Sequence, residues 1–88
     1  MARCSVEIQV QGEDGLHLRP MQLLVEKAAG FESRLTLRRG NKQADAKSIL
    51  EVMLLAAGKG PLFLDAEGGD AEEAARAVSG LLNGELNR

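Results

Sequence analysis

Residues 14–20 read Asp-Gly-Leu-His-Leu-Arg-Pro, DGLHLRP, and the hydrophobic period of the chain changes across them. Upstream, Val6, Ile8 and Val10 alternate with Ser5, Glu7 and Gln9. That period of two puts one face of a β-strand on a core and the other in water. Residues 11–15 are polar and glycine-bounded and read as a loop. Downstream, Leu18, Met21, Leu24, Val25 and Ala28 recur at helical spacing, with Gln22, Glu26 and Lys27 between them. Pro20 is compatible with that helix, because the first-turn N–H groups have no acceptor inside it. Gly30 is the expected stop.

The remaining elements follow from the same two periods. Residues 34–38, RLTLR, place Leu35 and Leu37 on one face of a strand. Gly40-Asn41 makes a turn, and residues 42–46 return as a weaker strand with Ala44 and Ala46 inward, closing a hairpin. Ser48 opens a short helix, and Glu51 three residues on fits a capping box. The run from Ile49 to Ala57, broken by Glu51, is too apolar all round for a free surface helix, so one side is expected on the sheet and the other against a partner. Leu62, Leu64 and Ala66 alternate with Phe63, Asp65 and Glu67 as a fourth strand, with Phe63 on its wet face. Asp70 is expected to cap the last helix, with Glu73 three residues on. Its stripe is Ala71, Ala74, Ala75, Val78, Leu81 and Leu82, and Gly84 is its expected end. The order β-α-β-β-α-β-α, with one apolar face per element, predicts an α+β fold. Four antiparallel strands form an open-faced sandwich, with three helices on one face and water on the other. Arg34, Arg38 and Arg39 are expected to solvate the open face.

At 88 residues the chain is expected to be one domain, 1–88, with little room for an enclosed site, so function should lie on its surface. A net charge of −2 argues against a nucleic-acid partner, and Phe31 and Phe63 as sole aromatics argue against base stacking. No apolar run approaches the length that inserts in a membrane, and the N-terminus lacks a signal-like segment. The single cysteine, Cys4, cannot form an internal disulfide, which fits a reducing, cytoplasmic compartment. A monomer is expected. No metal-ligand cluster and no cofactor motif is present.

His17 is the one imidazole of the chain. A lone histidine at a loop–helix junction can be merely solvated or a modest cap. Its neighbours open a second reading. A helix N-terminus offers unpaired N–H groups and the positive end of the dipole, a natural anion site. With His17 at the cap, the backbone N–H groups of Leu18 and Arg19 lie beside its ring. Pro20 stiffens the turn, Gly15 permits an unusual backbone angle, and Arg19 adds a guanidinium suited to phosphate oxygens. One nucleophilic nitrogen beside an anion cradle can accept a phosphoryl group and hold it. A small enzyme acting on a phosphate ester would need a second acid or base near the ring, and none stands in this stretch.

GLHLRP at residues 15–20 resembles the active-site motif of the HPr family, the histidine-containing phosphocarriers of the phosphoenolpyruvate-dependent phosphotransferase system. KSILEVMLLAAGKG at residues 47–60 resembles the family's regulatory-serine region. The resemblance covers essentially the whole chain, and it implies the open-faced sandwich already inferred. It implies that His17 takes a phosphoryl group on Nδ1 from phosphorylated Enzyme I and donates it to a IIA component during sugar uptake, the chain being a carrier and not an enzyme. Arg19 matches the arginine that helps hold and release the group. Ser48 matches the serine modified by a kinase/phosphorylase in some bacteria, and Ile49, Leu50 and Met53 fall in the partner-docking region. The alternative is a regulatory HPr-like module of the nitrogen-type branch, which binds partners according to its phosphorylation state. Leu18 and Met21 stand where members often carry small residues. Glu51 stands where many are uncharged, and its charge would repel a phosphate on Ser48.

Overall fold

The computed structural model describes residues 2–8, 18–58 and 60–86, and the side chains of all of these except 18–20 and 83–86. The elements are β1 (Arg3–Ile8), α1 (Leu18–Ala29), β2 (Arg34–Arg39), β3 (Lys42–Asp45), α2 (Ile49–Ala56), β4 (Leu62–Glu67) and α3 (Ala71–Leu86). The strands form one antiparallel sheet in the order β1-β4-β2-β3. The helices lie on one face, as the sequence periods predict.

The inward residues of the strands are Ile8, Leu35, Leu37, Ala44, Leu62, Leu64 and Ala66. They meet Met21, Leu24 and Ala28 of α1, Val52 and Leu55 of α2, and Ala71, Ala74, Ala75, Val78 and Leu82 of α3, while Leu81, placed on the same stripe by the sequence, is only half-buried. The predicted alternation therefore sets the core directly. Gly40, in the left-handed region at φ 62°, makes the β2–β3 turn without the strain a side chain would add there.

The open face is more organised than a solvated surface. Arg38 donates from Nε to Asp65 at 2.9 Å and lies 4.8 Å from the centre of the Phe63 ring. Ser5 on the neighbouring strand also donates its hydroxyl to Asp65. The Arg38 hydrogen bond holds the Asp65 carboxyl below its ordinary value, and the same pair raises Arg38.

Four local expectations are corrected. Strand β1 begins at Arg3, where pairing with Glu67 on β4 extends it beyond the apolar run. Helix α3 runs through Gly84 to Leu86, because a glycine costs a helix about 1 kcal/mol and does not forbid it. Asp70 sits just before α3, but its carboxylate accepts from the backbone N–H groups of Glu32 and Ser33, at 3.0 and 2.9 Å, and from the Ser33 hydroxyl. It thus ties α3's entry to the loop before β2. Arg39 faces the helices, buried, not the open face. Gly68, at φ 146°, lets the β4–α3 turn pass against Ser33, whose Oγ would lie 2.7 Å from any Cβ added there.

Candidate functional site

Helix α1 begins at Leu18, so the change of period in DGLHLRP falls where the sequence placed it. Leu18 and Arg19 stand in its first turn, whose N–H groups have no acceptor inside the helix, and Pro20 costs the helix no bond. His17 and Gly15 lie outside the described residues, as do the side chains of Leu18, Arg19 and Pro20. Helix α1 buries Met21, Leu24 and Ala28. Its end is closed by N–H bonds from Gly30 to Lys27 and from Phe31 to Ala28, both 3.1 Å.

Helix α2 packs beside α1. Val52 and Leu55, three residues apart, face the sheet. Ile49, Leu50, Met53 and Leu54 occupy the other side and remain exposed, Leu50 at 67% and Leu54 at 72%. A shallow depression of about 340 Å³ lined by Gln22, Val25, Glu26 and Ile49 joins this patch to the outer face of α1. The sequence reading named Ile49, Leu50 and Met53 but not Leu54, the most exposed of the four. The signal was the all-round apolar run. Which of its residues turns outward depends on the sheet that takes Val52 and Leu55.

Ser48 is the N-cap of α2, in extended conformation at φ −114° and ψ 111°. Its Oγ accepts the Glu51 N–H at 3.4 Å and its carbonyl accepts the Val52 N–H at 3.0 Å. The capping box closes on the serine side alone. The Ser48 N–H donates to the Asp45 carbonyl, and the Glu51 carboxylate accepts instead from the Asp45 N–H at 3.1 Å. Lys47 Nζ donates to the Phe31 carbonyl at 2.7 Å, fixing the approach to the cap. Among the described residues, no group of three or more His, Cys, Asp or Glu side chains is placed to hold a metal ion. No helix among them is long and apolar enough to cross a membrane.

The fold is an open-faced sandwich in which α1 lies beside the exposed apolar side of α2. The family model described as "PTS HPr component phosphorylation site" matches residues 4–84. The phosphocarrier protein HPr of Neisseria meningitidis serogroup A is 35% identical over 78 residues, 88% of each chain. Among solved structures, the phosphocarrier protein HPr from Bacillus anthracis superposes with a TM-score of 0.80 at 35% identity, covering 93% of this chain and 99% of that one. The histidine-containing phosphocarrier protein of a mycoplasma gives 0.80 at 32% identity, covering 97% and 96%. The chain belongs to the HPr family, the phosphocarriers of the phosphotransferase system.

Proposed function

We propose that His17 is the phosphoryl acceptor, charged by phosphorylated Enzyme I and discharged to a IIA component of the phosphotransferase system in sugar uptake. The observation that carries this reading is the extent of the family match, residues 4–84. It takes in both the DGLHLRP stretch and the exposed face of α2. The neutral ring attacks phosphorus through Nδ1, the donor's bond to phosphorus breaks, and the proton on the other ring nitrogen stays in place. The free N–H groups of Leu18 and Arg19 and the Arg19 guanidinium stabilise the transferred oxygens, with Gly15 and Pro20 shaping the turn. Transfer to the acceptor reverses these steps, so the chain carries the group and turns over nothing alone.

Ile49, Leu50, Met53 and Leu54, continued by the depression at Gln22 and Val25, form the surface that Enzyme I and the IIA component meet in turn. A cytoplasmic location follows from those partners. Ser48 serves the fold as an N-cap. A phosphoryl group placed on it by a serine kinase would meet the Glu51 carboxylate, which lies one helical turn on.

The test is incubation with phosphoenolpyruvate and Enzyme I, with mass spectrometry for an acid-labile phosphoryl group. Wild type gains one group. His17→Ala gains none while its circular dichroism spectrum stays unchanged. Labelling that survives in the variant overturns the reading.

A further inference from the structure

Arg39 ends β2, is only 8% exposed, and reaches beneath the C-terminal end of α2. Its partners among the described residues are carbonyl oxygens. Nη1 donates to Leu55 at 3.3 Å, Ala56 at 3.3 Å and Gly58 at 2.7 Å. Nε is buried with no partner among the described residues. The aliphatic stem packs on the same turn, since a Cβ at Gly58 would lie 3.4 Å from Arg39 Cδ. Burying a guanidinium is costly unless its donors are met, and an incompletely paired one more so. What this one meets are carbonyls of the last turn of α2 and of Gly58 just beyond it, at the negative end of the dipole, where the Leu55 carbonyl also accepts the Gly58 backbone N–H at 3.1 Å.

Helix α2 depends on such a contact. It has eight residues, too few to persist unaided, and buries only Val52 and Leu55. Ser48 secures its first turn. Met53 and Leu54 lie toward the other end, directly before the carbonyls that Arg39 holds. We infer that Arg39 is a positioning residue for protein docking. By capping the C-terminus of α2 it keeps Met53 and Leu54 in fixed relation to Ile49 and Leu50, so that an incoming protein meets a preformed patch. The inference rests on the reading that α2 receives Enzyme I.

Two variants test it. Arg39→Met keeps the buried stem and removes every donor. Arg39→Lys restores a cation with three donors. In the free chain, amide hydrogen exchange of Leu55, Ala56 and Gly58 should accelerate about tenfold in Arg39→Met, be largely restored in Arg39→Lys, and change little in β4 and α3. With Enzyme I, KM should rise about tenfold in Arg39→Met with kcat within about twofold, and Arg39→Lys should recover most of the loss. Unchanged exchange in α2, equal acceleration in every element, or a normal KM despite faster exchange would each overturn the inference. If Arg39→Met does not fold, a partial loss of protection and a partial rise in KM in Arg39→Lys carry the same decision. If wild type is not phosphorylated at all, the docking role falls with the carrier reading. Exchange in the free chain still decides whether Arg39 holds α2.

Discussion

Helix α3 buries Ala71, Ala74, Ala75, Val78 and Leu82 along sixteen residues, whereas α2 buries Val52 and Leu55 along eight. Both lie on the same face of the same sheet. The longer helix is held along its length by apolar packing, and its outer face is charged, with Glu72 and Arg76 paired across one turn at 3.1 Å. The shorter helix is held at its two ends by polar groups, Ser48 at the first turn and Arg39 at the last, and its outer face is apolar. Holding α2 by its ends leaves its outward side chains free for a partner. Under the proposed function, α3 serves the fold and α2 meets the partner.

The largest effect should come from the packed helix. Leu82 is fully buried between α3 and the sheet. Leu82→Ala removes three heavy atoms from a close-packed site and should cost about 3 kcal/mol of global stability. Urea denaturation measures it through the midpoint at constant slope. A loss below about 1 kcal/mol would mean that α3 is not the element that packing secures.

The entry to α3 provides the second effect, and it depends on pH. Asp70's carboxyl is held below its ordinary value, first by the Ser33 hydroxyl and then by the Glu32 and Ser33 backbone N–H groups. A lowered folded pKa means that the unfolded chain takes up the proton first as pH falls. The stabilisation is therefore complete above the unfolded aspartate value of about 3.9 and disappears as pH drops through the folded value. Asp70→Asn should be less stable than wild type at neutral pH, with the gap narrowing as the pH falls below the unfolded aspartate value. Asp65, also lowered by its hydrogen bond from Arg38, is common to both proteins and cancels in the difference. A gap that stays constant with pH would remove the ionised carboxylate from the account.

These particulars also mark where the sequence stops being informative. The alternation in β2 and β4, the onset of α1 within DGLHLRP at Leu18 and the stripe of α3 are short-range patterns, and each is written in consecutive residues. Asp70 and Arg39 looked like a helix cap and a surface charge because their partners are distant in sequence. Ser33 lies 37 residues from Asp70, and Gly58 lies 19 from Arg39. The alternation does separate Arg39 from Arg38, its neighbour on the opposite face, once Leu35 and Leu37 fix which side is inward, so its side was legible and only its partners were not. Glu51 was misjudged in the same way, because the backbone N–H that it takes belongs to Asp45 rather than to its own cap. At the candidate site His17 and Arg19 are proposed from residue type and spacing, and His17 and the Arg19 side chain lie outside the described residues. The outward side of α2 became legible only when the sheet claimed Val52 and Leu55.

The smallest expected change in stability separates the two helices most sharply. Leu54 is 72% exposed on α2, and Glu72 is an exposed residue on α3. Replacing either with serine removes no buried contact, so each should shift stability by no more than about 0.5 kcal/mol. Function should divide them. A large apolar side chain within a docking surface can cost more than 1 kcal/mol of binding when lost, whereas an exposed charged face away from it contributes nothing. Leu54→Ser should raise KM for phosphorylation by Enzyme I about fivefold to tenfold with kcat preserved, while Glu72→Ser leaves both unchanged. Titration calorimetry against Enzyme I gives the same comparison without turnover. If Leu54→Ser docks as well as wild type, the partner does not reach the C-terminal half of α2. The contact is then confined to Ile49, Leu50 and the adjoining depression on α1, and the end of the helix that Arg39 caps faces only water.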